Sequence, residues 1–320
     1  MTRSLPVIFC FAGQGSQYYN MAAELYRQQS VFRQWLQIGD EIVRARHGHS
    51  LLEAIYDPRR GPADTFDRLE ITHPGVFLVQ YALARLLLHL GVRPDAMFGV
   101  SLGEVVGMTA AGVASFEPVL ISIAAEADIF QQSCRGGGMT AVLGPASLCD
   151  TLPDVEIAGI NADRHCIIAG PSAGLAAAER NLAARGVPFQ RLPVAYPFHS
   201  RWINPAEIIF SSPLNDRLRP PRWPCWSSCL AAPVDPGISG LAWRIVREPM
   251  RVQQTVRAIE AAGGAVYVDL SPSGTFAGIL RQSIAHGSPS RVVPVLSPFG
   301  GCAARLSRAM ELLAVAARSD

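Results

Sequence analysis

Short unbroken apolar runs recur along the chain between longer apolar stretches. Val7 to Ala12 is the first run and reads as a buried strand that ends in the turn Gly13-Gln14-Gly15-Ser16-Gln17. A helix is expected from Met21 to Gln29. Residues 72–90 read as a long buried helix, with Thr72 placed to cap its start and Gly91 its end. Pro94 to Val100 then reads as a strand, and Ser101 to Ala111 as a helix that begins abruptly after it. Strand, tight turn and helix in succession mark an α/β architecture.

The middle of the chain has a different rhythm. Arg135-Gly-Gly-Gly138 reads as a flexible joint. Met139–Leu143, Val155–Ala158, Cys166–Ala169 and Phe189–Val194 read as strands. Ser172–Arg185 reads as a helix between Pro171 and Gly186. This element order implies a small ferredoxin-like insert over residues 134–198. The larger subdomain would then comprise 1–133 and 199–320. Residues 211–240 show no periodicity, and Val266–Leu270 reads as a further core strand followed by a turn at Ser271–Phe276.

Composition narrows the class. The chain has 320 residues, 49% hydrophobic and 17% charged, which excludes a disordered protein. A net charge of +2 with no long basic run argues against nucleic acid as a partner. The apolar run at 75–80 is interrupted by Gln80 and Arg85, short of the roughly 20 residues that span a bilayer, so no membrane segment is expected. Met1 to Phe11 leads into the glycine turn and reads as a strand, not a signal peptide. The seven cysteines are irregularly spaced, and Cys225-x-x-x-Cys229 lacks a second pair, so reduced thiols, no metal and a cytoplasmic location are expected.

The sharpest chemical feature is Gly99-Val100-Ser101-Leu102-Gly103. It fits the nucleophile-elbow pattern, in which small residues let the chain bend tightly and lift a serine hydroxyl to a helix N-terminus. That terminus offers backbone N–H groups to a developing oxyanion. The serine needs a base, and histidines stand at 47, 49, 73, 89, 165, 199 and 286. His199, in Tyr196-Pro197-Phe198-His199-Ser200, sits where the small insert rejoins the body, and a structural histidine at that junction is the alternative. A Ser-Asp-His hydrolase recruiting Asp150, Asp154 or Asp163 ranks low, because about 120 residues follow His199. A non-catalytic docking module would not need Gln14, Ser101 and His199 together.

Phe11-Ala-Gly-Gln-Gly-Ser-Gln17, Gly99-Val-Ser-Leu-Gly-Glu104 and Pro197-Phe-His-Ser200 occur in an order and spacing that resemble the malonyl-CoA:acyl-carrier-protein transacylase family, including the acyltransferases of polyketide synthases. The resemblance covers essentially the whole chain. It implies an α/β-hydrolase-like large subdomain carrying a ferredoxin-like small one. It further implies a ping-pong transfer, with Ser101 as nucleophile and His199 as base. The oxyanion hole would be the backbone N–H groups of Gln14 and Leu102. A backbone carbonyl near Glu248–Arg251 would orient the histidine. No cofactor is implied; the substrates would be phosphopantetheine thioesters, on coenzyme A or a holo carrier protein, with an acyl carrier protein as partner.

The departures from the family pattern bear on the substrate. Val100 stands where the family usually has His, and Tyr196-Pro197-Phe198 replaces His-x-Phe before His199. Glu126 aligns with the arginine that pairs with the free carboxylate of malonyl-type substrates, and no Arg lies between Arg93 and Arg135. Malonyl and methylmalonyl are therefore disfavoured, with Arg201 the nearest alternative cation. Val100, Glu126, Tyr196, Phe198 and Arg201 form the expected substrate pocket. Family members without that arginine include transferases of neutral acyl groups and hydrolases that clear stalled acyl groups from carrier proteins. Because the chain ends at Asp320, soon after the family fold should, it reads as a discrete, trans-acting protein.

Overall fold

A computed structural model describes residues 5–215 and 218–317; Met1–Ser4 and Asp320 lie outside the described residues. In chain order the strands are β1 (Val7–Phe11), β2 (Ala96–Gly99), β3 (Gly137–Val142), β4 (Glu156–Ala162), β5 (His165–Pro171), β6 (Phe189–Arg191), β7 (Cys225–Ser227), β8 (Ala232–Pro233), β9 (Val266–Asp269) and β10 (Arg291–Pro294). They form two sheets, ordered β10-β9-β1-β2-β7-β8 and β4-β5-β3-β6.

The large sheet is parallel except for its last pair, β7 with β8. Its centre, β1 and β2, is almost wholly buried, which is why both read as unbroken apolar runs without alternation. The helix Leu69–His89 packs as the core of the large subdomain. By length and composition it could cross a membrane, contrary to the expectation from Gln80 and Arg85, but 89% of its most apolar window is buried inside the protein. It starts a turn before Thr72 because Leu69 and Ile71 also bury, and Pro74 is carried inside it. The amphipathic helix Ser30–His47 lies against it through Phe32, Leu36 and Val43. The contact is close: a Cβ on Gly39 would fall 2.3 Å from the Leu78 side chain.

The small sheet is antiparallel, and its strand order is that of a ferredoxin-like unit. The helix Ser172–Ala184 covers it, while a single 3-10 turn, Ala146–Leu148, stands where the other helix would be. Two further features differ from the sequence reading. Gly137 and Gly138 are not a loose joint but the first residues of β3, and a Cβ on Gly137 would fall 2.5 Å from the Gly170 carbonyl. The segment without periodicity, 211–240, contributes β7 to the large sheet beside β2.

The subdomains are stitched beside the candidate site. Met250 N–H donates to the Ala158 carbonyl and Ile160 N–H to the Met250 carbonyl, both at 2.9 Å. Glu248 is thereby fixed two residues from the small sheet.

Candidate active site

Ser101 stands between β2 and the helix Leu102–Ala110 with φ 55° and ψ −126°, a strained conformation for a residue with a side chain. Its flanking glycines are sterically required. A Cβ on Gly99 would lie 2.2 Å from Glu104 Cα, and one on Gly103 would lie 2.2 Å from the Phe11 carbonyl oxygen. The elbow is thus wedged between its own helix and β1.

His199 Nε2 lies 2.8 Å from Ser101 Oγ. The ring's Nδ1 lies 2.8 Å from the Glu248 carbonyl oxygen. That carbonyl can only accept, so Nδ1 carries the proton and Nε2 accepts from the serine hydroxyl. The backbone also constrains the histidine, which has φ 60° and donates its N–H to the Val246 carbonyl at 2.9 Å. Burial pushes the imidazole pKa down to about 4, opposed by the Glu248 carbonyl and reinforced by the nearby Arg247 charge. The ring is therefore a neutral base over the physiological range.

Gln14 and Leu102 line the same small cavity as Ser101. Leu102 opens its helix, so its N–H has no partner within the helix. The loop that carries Gln14 is braced by a residue whose role the sequence reading missed. Gln80 is fully buried in the core helix; its Oε1 accepts from Ala12 N–H at 2.8 Å and its Nε2 donates to the Ala12 carbonyl at 2.9 Å.

A second residue passed over by the sequence reading is His73. Gln14 Nε2 donates to His73 Nδ1 at 2.9 Å, and His73 Nε2–H donates to Glu126 Oε2 at 2.8 Å. Glu126 is buried on the helix Phe116–Ser133 and lines the small cavity, together with His73 and Phe198. That cavity holds only about 20 Å³. On the other side of Ser101 a cleft of about 480 Å³ opens between the subdomains. Val100 and His199 line it from the large subdomain, Met139, Ile167 and Phe189 from the small one, and Phe198 from the junction between them. His165 begins β5 and also lines this cleft.

Two expected pocket residues lie elsewhere. Arg201 lines neither cavity; its guanidinium pairs with Glu156 of β4 at 2.8 Å and stacks over Trp202. Tyr196 also lines neither cavity, and its ring packs against Phe198 and Phe130. Among the described residues no arginine lines either cavity, and the chain contains no lysine.

Fold and site together define a two-subdomain protein with a serine on an elbow, a carbonyl-oriented histidine beside it, and a cleft between the subdomains. A family model described as the acyl transferase domain matches residues 8–317, and the chain belongs to that family. It is 35% identical over 299 residues to the polyketide biosynthesis acyltransferase homolog PksD of Bacillus subtilis, covering 92% of each chain. It is 38% identical to part of the polyketide biosynthesis protein ThaF of Burkholderia thailandensis, covering 96% of this chain and 27% of that one. Among solved structures, it is similar to the acyl transferase domain of SpnD in complex with 2-(pent-4-yn-1-yl)malonyl. The TM-score is 0.86 at 25% identity, covering 99% of this chain and 78% of that one.

Proposed function

We propose that this acyltransferase acts in polyketide biosynthesis and moves an uncharged acyl group, by way of a Ser101 ester, to the phosphopantetheine thiol of an acyl carrier protein. The observation that carries the reading is the aligned chain Ser101 Oγ, His199 imidazole, Glu248 carbonyl, with two 2.8 Å contacts. It rests beside a cleft that no arginine lines among the described residues.

In the first half-reaction Ser101 Oγ attacks the thioester carbonyl while His199 Nε2 takes its proton. The Gln14 and Leu102 N–H groups would receive the oxyanion. The C–S bond then breaks, and the leaving thiolate takes the proton from His199. In the second half, the carrier's thiol gives its proton to His199 and attacks the serine ester, and Ser101 regains its proton as the thioester forms. The Glu248 carbonyl cannot take a proton, so its part is to keep the ring in one tautomer and orientation.

The cleft of about 480 Å³ is large enough for a pantetheine arm. With no guanidinium in the lining among the described residues, a substrate carboxylate lacks its usual partner and would be costly to bury unpaired. Malonyl groups are therefore poor substrates on this reading.

The test is to mix the protein with an acetyl donor on coenzyme A and a holo carrier protein, then to weigh the carrier. Acetylated carrier with the native protein, and none with Ser101→Ala, supports the proposal. Free acetate with unmodified carrier would reassign the same dyad to thioester hydrolysis.

A further inference from the structure

We infer that the His73–Glu126 pair is a gate on the acyl side of Ser101, which restricts the protein to short, uncharged acyl groups, acetyl above all. The inference rests on the covalent Ser101 reading and adds the length and charge of the group that serine carries.

Space sets the first restriction. An acyl group on Ser101 extends its chain either back along the cleft, which the thioester arm occupies, or into the small cavity. That cavity holds about 20 Å³, enough for a water or a methyl group but not for a chain. Part of its lining is the hydrogen-bonded row Gln14, His73 and Glu126. The row is braced at both ends. Glu126 and His73 are 5% and 6% exposed, and the Gln14 loop is bonded at Ala12 to Gln80. Phe198 closes the side, and its ring is held edge-on by Phe130 at 4.9 Å. None of these groups can swing out without giving up a buried hydrogen bond or packing contact, so the wall resists displacement by a growing chain.

Charge makes the second restriction. His73 Nδ1 accepts from Gln14, so its ring proton is on Nε2 and donates to the Glu126 carboxylate. The acyl end thus faces the Glu126 carboxylate, and among the described residues no arginine lines the cavity. A second carboxylate, as in malonyl or succinyl, would meet repulsion in a site of low polarity.

Rates of Ser101 acylation should be measured by quenched intact-protein mass spectrometry, with acetyl, propionyl, butyryl, hexanoyl and malonyl thioesters of coenzyme A. Native protein should lose about tenfold or more in acylation kcat/KM for each methylene beyond acetyl. Malonyl should fall about 100-fold below acetyl. His73→Ala should raise butyryl relative to acetyl by at least about tenfold. Glu126→Gln, which keeps the acceptor oxygen but removes the charge, should raise malonyl relative to acetyl by about tenfold while leaving the length preference in place. A purely structural pair would lower all substrates together and leave these ratios unmoved.

Native protein that takes hexanoyl or malonyl as readily as acetyl overturns the gate while leaving the Ser101 reading intact. Absence of any adduct, from any thioester, overturns the Ser101 reading itself.

Discussion

The burial of His199 makes an acid-side prediction that separates it from an ordinary histidine. The perturbation is a fall in pH. The ring is pushed down to about 4 because it is taken from water, and only the Glu248 carbonyl resists that shift. A general base must be neutral to accept the Ser101 proton, so the acylation rate follows the unprotonated fraction. At pH 5 a group with a pKa of about 4 is roughly nine-tenths neutral, whereas a free imidazole near 6.5 is only about 3% neutral. The expected rate of Ser101 acylation at pH 5 is therefore about nine-tenths of its value at pH 8. Below pH 4 it falls about tenfold per unit. The assay is single-turnover acylation by acetyl coenzyme A, quenched and weighed, with circular dichroism to verify folding at each pH. A half-maximal rate near pH 6.5 in folded protein would refute the reasoning, because it would mean that His199 is solvated or is not the base.

Three further outcomes are expected. Gly103→Ala places a Cβ 2.2 Å from the Phe11 carbonyl oxygen, so it should cost about 3 kcal/mol in a denaturant titration and abolish acylation; an unchanged midpoint would show that the elbow is not wedged there. Burial raises Glu104 to about 7, although its carboxylate accepts from Ser228 Oγ–H at 2.7 Å and Cys229 N–H at 2.9 Å. A folded pKa above the unfolded one means stability present below about pH 4.5 and lost as pH rises through about 7, so native protein should lose about 3 kcal/mol across that window relative to Glu104→Gln. Parallel pH curves for the two would sink that assignment. Arg201→Ala breaks a half-exposed pair with Glu156, so it should change stability by less than about 1 kcal/mol and leave the acetyl-to-malonyl acylation ratio untouched; a changed ratio would place Arg201 in the pocket after all.

The elements around the nucleophile were legible because their constraints are local. A tight strand-to-helix turn needs glycine at 99 and 103, and that need is written as a five-residue pattern. The buried core strands β1 and β2 announce themselves by continuous apolar residues. The helix Ser30–His47 is also legible, since Phe32, Leu36 and Val43 fall on one helical face. β7 is another matter: three residues are too few to show a period, and only its pairing with β2 makes it a strand.

The polar residues of the site follow the same division. His199 could be singled out because it lies at a chain junction, but the partner of its Nδ1 is a backbone carbonyl, which has no residue type to recognise. Gln80 looked like an interruption of an apolar helix, whereas it spends both ends of its amide on Ala12, 68 residues away. His73 and Glu126 lie 53 residues apart, and their pairing becomes visible only when two helices pack side by side. Arg201 misled by proximity. It follows His199 by two residues, yet Ser200 between them is extended, and the guanidinium finds Glu156 of the small sheet.

The most direct test of the account is to quench the protein within its first turnover of acetyl coenzyme A, digest it and map the acetyl group by tandem mass spectrometry. The account predicts one acetyl ester, on Ser101, absent from Ser101→Ala and slowed by orders of magnitude in His199→Ala. An acetyl group that maps elsewhere, or a Ser101→Ala protein that still turns over, would contradict it.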